Sequence, residues 1–274
     1  MKYIFLNLKR FDIPAEKGGV NRSADGFWGE SIIRETLDIE NYKDAEFAVF
    51  LPEAHLLPAL TEKQKSNSIF HIGCQGVYRD DVEPGKNFGA FTTNRPASAM
   101  ESIGVDYTII GHCEERKDKL EIMQAGGQVN KKALNSILNR EIKAAQKEGL
   151  KVLYCIGETA DEQADAFAVL EEQLTVGLDG VDLSQIVIGY EPVWAIGPGK
   201  TPPDAPYIQK IARFVKEKYP SLEVVYGGGL KQDNAKMLAG IPEIDGGLIA
   251  LTRFSGDFGF YPDEFLSIVD LYLS

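Results

Sequence analysis

Gln185-Ile-Val-Ile-Gly-Tyr-Glu-Pro-Val-Trp-Ala-Ile-Gly-Pro-Gly-Lys-Thr201 is the stretch on which the reading of this chain turns. Ile186 to Ile188 is an unbroken β-branched run, the pattern of a strand buried on both faces. The run leads to a single carboxylate, Glu191, at its C-terminal end, where parallel sheets carry their chemistry. Beyond Pro192 lie four apolar residues, Val193, Trp194, Ala195 and Ile196, and then Gly197-Pro198-Gly199-Lys200. An apolar tip between a proline and two glycines predicts a short rigid lid that swings on flexible ends.

Working outward, similar strands alternate with helical patterns along the whole chain. Strands are predicted over Tyr3–Lys9, Ala48–Leu51, Ile69–Gln75, Tyr107–Gly111, Lys151–Ile156, the run before Glu191, Glu223–Tyr226 and Gly247–Leu251. Helical spacing follows over Glu30–Asn41, Ala54–Lys65, Ala97–Ile103, Asn130–Gly149, Asp161–Val176, Asp204–Tyr219, Gln232–Ala239 and Pro262–Tyr272. Phe11–Gly29, Arg79–Lys86 and Lys117–Val129 read as loops. Eight strands, each followed by a helical segment and with no linker between them, predict one α/β domain over residues 1–274, a (β/α)8 barrel.

Composition narrows the function class. The chain has 274 residues, 44% apolar and 26% charged, with a formal net charge of −12. That charge argues against nucleic acid or an anionic membrane as partner, since both need clustered positive side chains. Met1–Leu6 reads as a strand and is too short for a targeting core, which predicts a cytoplasmic protein. Cys74, Cys113 and Cys155 are widely spaced within or just after apolar runs and lack metal-ligand spacing, so they read as small buried residues in a reducing compartment. His71 and His55 read as structural imidazoles.

Several short motifs share this framework. Asn7-Leu-Lys9 leaves strand one with both polar side chains on one face. Ile109-Ile-Gly-His-Cys-Glu114 leaves strand four, and Tyr226-Gly-Gly228 leaves strand seven. With Tyr190–Thr201, and with Gly149–Glu158 as a structural fifth segment, these motifs resemble those of the triosephosphate isomerase family, in the family's order and across nearly the whole chain.

The resemblance implies a cofactor-independent aldose-ketose isomerase of glycolysis, gluconeogenesis and carbohydrate metabolism, with no metal, acting on a small phosphorylated sugar. Glu191 would be the base, His112 the neutral electrophile, Lys9 the cation that holds the anionic substrate, Asn7 a neighbouring donor and Glu114 a carboxylate beside Lys9. The pattern of a Glu base with a neutral His under a closing loop is a worked case in general enzymology. Val193–Ile196 would form the lid. Gly197, Gly228, Gly229, Ala250 and Leu251 would stand where the phosphate is held.

The chain departs from the family pattern at several of these positions. Gly229 replaces a serine, and Ala250 and Leu251 replace two glycines, which hinders close backbone approach to a phosphate. This predicts an anion held differently, by Arg253 or Lys231, or a larger substrate. Asn94 and Glu115 replace both members of a family ion pair, which predicts a retained homodimer with a sign-reversed pair between Arg95 and Glu115. A paralogous isomerase for another short-chain ketose phosphate and a non-catalytic barrel with a binding role are the alternatives. The latter has no physical need for Asn7, Lys9, His112 and Glu191 together.

Overall fold

A computed structural model describes residues 1–22, 27–197 and 199–274. Part of the Phe11–Gly29 loop and Pro198 of the expected lid lie outside the described residues. Eight parallel strands close in sequence order into a barrel, β1 (Lys2–Asn7), β2 (Ala45–Leu51), β3 (His71–Cys74), β4 (Tyr107–Ile110), β5 (Lys151–Ile156), β6 (Ile186–Tyr190), β7 (Glu223–Tyr226) and β8 (Gly246–Ile249). Closure is made by β1, which pairs with β2 and, through Tyr3↔Gly246 to Leu6↔Ile249, with β8.

Around the strands lie α1 (Trp28–Glu35), α2 (Leu56–Ser66), α3 (Ala97–Glu101), α4 (Cys113–Ala125), α5 (Lys131–Lys147), α6 (Ala166–Gly177), α7 (Ala205–Lys218), α8 (Ala235–Ala239) and α9 (Pro262–Leu273). Alternate strand residues divide into two apolar layers. Phe5, Phe50, Tyr107, Leu153, Val187 and Val225 fill the barrel interior. Ile4, Leu6, Val49, Ile110, Ile188 and Val224 face the helices. Each such fully buried aliphatic side chain contributes about 2 kcal/mol of transfer free energy. The helices start where their caps dictate: Asn130 Oδ1 accepts the Ala133 N–H (2.9 Å) and Asp204 Oδ1 accepts that of Tyr207 (3.0 Å). Among the described residues no helix is long and apolar enough to cross a membrane.

Three expectations are corrected. The helix expected over Glu30–Asn41 is α1 followed by a 3-10 turn over Leu37–Asn41. The break falls at Thr36, whose Oγ1 donates back to the Ile32 carbonyl (2.6 Å) and competes with the helical ladder. Lys117–Val129, read as a loop, is helical as far as Ala125. Arg116 is the one buried residue of α4, so no apolar stripe betrays a helix carried by good formers such as Glu, Lys, Leu and Met. The eighth strand stops at Ile249, so Ala250 and Leu251 lie in the loop beyond it. The chain then turns away, with the Thr252 N–H donating to the Gly259 carbonyl (3.0 Å).

Candidate active site

The C-terminal strand ends bring Asn7, Lys9, His112, Glu114 and Glu191 to one rim of the barrel. Asn7 closes β1, and its Oδ1 accepts the N–H of Lys9 (3.0 Å). Lys9 has φ +39°, a left-handed backbone that costs a side-chain-bearing residue about 1–3 kcal/mol unless its surroundings hold it. Gln75, just past β3, does so by donating its Nε2 to the Lys9 carbonyl (2.9 Å) and the Phe50 carbonyl (3.2 Å). The Lys9 ammonium then reaches Glu114 Oε1 at 2.7 Å.

His112 caps the N-terminus of α4. Its Nδ1 accepts the backbone N–H of Glu114 (3.2 Å), so the proton of the neutral ring sits on Nε2. Nε2 lies 3.1 Å from Glu191 Oε1. The other oxygen, Oε2, accepts the N–H of Cys113 (2.8 Å), and the Glu191 side chain is buried. The backbone beneath is equally constrained. The Glu191 N–H donates to the Ile156 carbonyl (2.8 Å), and a Cβ on Gly157 would lie 1.8 Å from the Glu191 carbonyl oxygen. Only glycine permits that approach. Burial, and after it the charge of Glu191, push the Cys113 thiol up to about 12.

This arrangement sets a desolvated carboxylate, Glu191, against the His112 ring N–H, and the ring shares a cavity with the Lys9 ammonium. Such a set can take a proton from carbon, donate to an oxygen and balance an anion. His112, Cys113 and Glu191 also offer three ligand atoms within 4.8 Å of one another, the one such trio among the described residues. His112 Nδ1 and Glu191 Oε2 already accept backbone N–H groups, however, and the Cys113 thiol keeps its proton. The donor set suits proton transfer better than a metal.

The expected lid leaves Glu191 as a 3-10 turn over Val193–Ala195, with positive φ at Gly197 (+115°) and Gly199 (+74°). Trp194 Nε1 donates to Glu158 Oε1 (2.7 Å), which also accepts the Tyr207 (2.9 Å) and Tyr190 (3.0 Å) hydroxyls. Burial and the Glu158 charge raise the Tyr207 hydroxyl to about 12.

Gly227 opens the loop after β7 beside Glu191. A Cβ on Gly227 would meet Glu191 Cγ at 2.7 Å, and one on Gly228 would meet Pro192 Cγ at 3.0 Å, so this glycine run lies directly against the base of the lid. Ala250 and Leu251 are half-buried beyond it. Arg253, one of two cations expected to hold an anion, is occupied: its guanidinium pairs twice with Glu264 Oε1 (2.8 and 2.6 Å) and stacks on Tyr261.

The sign-reversed Arg95–Glu115 pair is not made within the chain. Arg95 donates to the Gln75 carbonyl (3.1 Å) and approaches Glu53. Glu115 Oε2 accepts the N–H of Gly111 (2.6 Å), the residue before His112, and Oε1 binds Lys119 (2.6 Å). Lys119 also reaches Glu141 (3.1 Å), and the two carboxyls hydrogen-bond each other.

Two cavities open at this rim. One of about 210 Å3 is lined by Asn7, Lys9, Gln75, His112 and Glu114. A larger one, about 700 Å3, lies between α4 and α6 and touches Cys113, Val193 and Ile196. The His112 ring and Lys9 line the smaller one, and Glu191 lies behind the ring. Gln75, the Cys113 N–H and the Glu158 acceptor were not anticipated. Gln75 is separated from Lys9 by 66 positions, and a backbone N–H carries no residue signature.

Comparison with known proteins agrees with this geometry. Residues 30–271 match the family model described as triosephosphate isomerase. The chain is 32% identical over 253 residues to the triosephosphate isomerase of Alkaliphilus metalliredigens, covering 87% of this chain and 91% of that one. It is 37% identical over 221 residues to that of Pelodictyon phaeoclathratiforme, covering 76% and 78%. The crystal structure of triosephosphate isomerase from Bartonella henselae superposes with a TM-score of 0.73 at 24% identity, over 99% of this chain and 98% of that one. With fold, family model and relatives in agreement, this chain is an isomerase belonging to the triosephosphate isomerase family.

Proposed function

We propose that the chain interconverts dihydroxyacetone phosphate and glyceraldehyde 3-phosphate without a cofactor, by proton transfer through an enediolate. Glu191 removes the proton from the carbon beside the carbonyl, and His112 donates its Nε2–H to the carbonyl oxygen. Lys9 balances the enediolate charge, Glu114 orients Lys9, and Asn7 donates beside it. Val193–Ile196 close over the substrate and exclude water, which strengthens a carboxylate as a base. The observation that carries the proposal is the 3.1 Å approach of Glu191 Oε1 to a ring nitrogen whose proton is assigned by the Glu114 N–H bond. In this arrangement Glu191 is held by Cys113 and His112, so it must exchange both hydrogen bonds to reach a substrate carbon.

The test is a coupled isomerase assay on wild type and Glu191→Asp. Shortening the side chain by one methylene withdraws the carboxylate by about 1 Å or more, a misplacement that costs roughly 100-fold in kcat. Full activity in Glu191→Asp would exclude Glu191 as the base. Ala250 and Leu251 favour a second reading, an isomerase for another short-chain ketose phosphate, and a substrate panel in the same assay decides between the two. We also infer one folding domain over residues 1–274 and a homodimer, supported by Phe88, which is 84% exposed in the loop after β3. A cytoplasmic location accords with three free cysteines, and the net charge of −12 disfavours nucleic acid and anionic membranes.

A further inference from the structure

A phosphorylated substrate brings about two negative charges to a chain whose net charge is −12, so a local cation must receive it. Most cations at the rim are already engaged. Lys9 pairs with Glu114, Lys117 with Glu121, Lys131 with Glu162 and Arg253 with Glu264. Lys200 follows the lid and is exposed. Lys231 differs from all of these. It is half-buried, no carboxylate among the described residues pairs with it, and its ammonium lies 4.0 Å from the centre of the Phe254 ring.

Its stem also has a defined course. A Cβ on Gly229 would lie 3.3 Å from Lys231 Cε, so the side chain runs along Gly229 toward the loop after β8. Gly229 has φ +97°, and no acceptor among the described residues takes its N–H. Gly227, at the other end of this short run, touches Glu191. The run therefore joins the catalytic carboxylate to an unpaired ammonium within five residues, a span suited to a small substrate with its reacting carbon at one end and its anion at the other. The Phe254 face holds the ammonium in place without neutralising it.

We propose that Lys231 is the residue that selects for a phosphorylated substrate, receiving the phosphoryl oxygens between Gly229 and Phe254 where the side chains of Ala250 and Leu251 leave less room for backbone approach. This rests on the reaction proposed above. A charge-assisted contact from an ammonium to phosphate is strong in a partly buried site, and its loss weakens binding by about tenfold or more.

The experiment uses the full chain, measuring kcat and KM for glyceraldehyde 3-phosphate and, independently of turnover, the affinity for inorganic phosphate by calorimetry. Lys231→Met is expected to raise KM and the phosphate Kd together by about tenfold, with kcat changed by less than about threefold. Lys231→Arg should recover most of the loss because it keeps the charge, and Arg253→Ala should leave both constants within about twofold because Glu264 already holds that guanidinium. An unchanged phosphate affinity in Lys231→Met, or an equal loss in Arg253→Ala, overturns the assignment. Loss of phosphate binding in Lys231→Met, in a wild type that turns over no triose phosphate, would keep the anion site and reject the reaction. Normal turnover with an indifferent Lys231 would do the reverse.

Discussion

Replacing Glu141 by Gln should make the protein more stable, and increasingly so as pH rises. Glu141 lies on α5, buried against Glu115 and Lys119, and burial together with the Glu115 charge raises its carboxyl to about 9. Unfolded, the same group titrates near 4.5. Between those values the native state holds a proton that the unfolded state releases, so raising the pH favours unfolding by about 1.4 kcal/mol per unit. From pH 5.5 to 7.5 the cost reaches about 3 kcal/mol. Glu115 shifts downward, so its contribution is complete above the ordinary carboxylate range and is lost only in acid, outside that window.

A glutamine in this position imitates the protonated carboxyl, with an NH2 for Glu115 and a carbonyl for Lys119, and it has no proton to release. Urea unfolding at fixed protein concentration, at pH 5.5 and 7.5, should show the advantage of the variant growing by about 3 kcal/mol, or by roughly 6 to 9 °C in thermal midpoint. Stability profiles for wild type and variant that run parallel across this range would show that Glu141 carries no proton in the native state, and the reasoning would fail.

Two further predictions rest on the rim itself. Gln75→Leu removes the donors that hold Lys9 at positive φ, and should lower kcat/KM by about tenfold, with a smaller effect on folding, as steady-state kinetics beside a thermal melt would reveal. Cys113, with its thiol near 12, has a thiolate fraction at pH 8 of only about one in ten thousand. Mass spectrometry after iodoacetamide treatment of the native protein should find it unmodified on a timescale that labels an ordinary exposed thiol, and rapid labelling would contradict its protonated state.

Much of this architecture was legible in the chain because each layer repeats a simple rule. Glu223–Tyr226 forms a strand with the expected bounds because both barrel faces demand apolar side chains there. Glu191 stands out as a lone carboxylate at the end of an apolar strand before an apolar loop, whereas Asn7, Lys9 and His112 are singled out through the motifs that resemble the family, since a polar strand end by itself is more often merely solvated. α4 escaped notice because a helix lying on the rim with little buried surface leaves no periodic trace. Gln75 escaped because its partners are carbonyls, which every residue possesses. The doubt over the anion was legible at Ala250 and Leu251, but choosing between Arg253 and Lys231 needed the structure, since only there is Arg253 tied to Glu264.

Glu158 gathers the end of β6, the lid and α7 onto a single oxygen atom, while its Oε2 is buried with no hydrogen-bond partner. The three donors share the charge of one carboxylate oxygen, so loss of any one of them would strengthen the bonds of the other two. One oxygen is thus a common anchor for three segments of the chain that lie far from it in sequence.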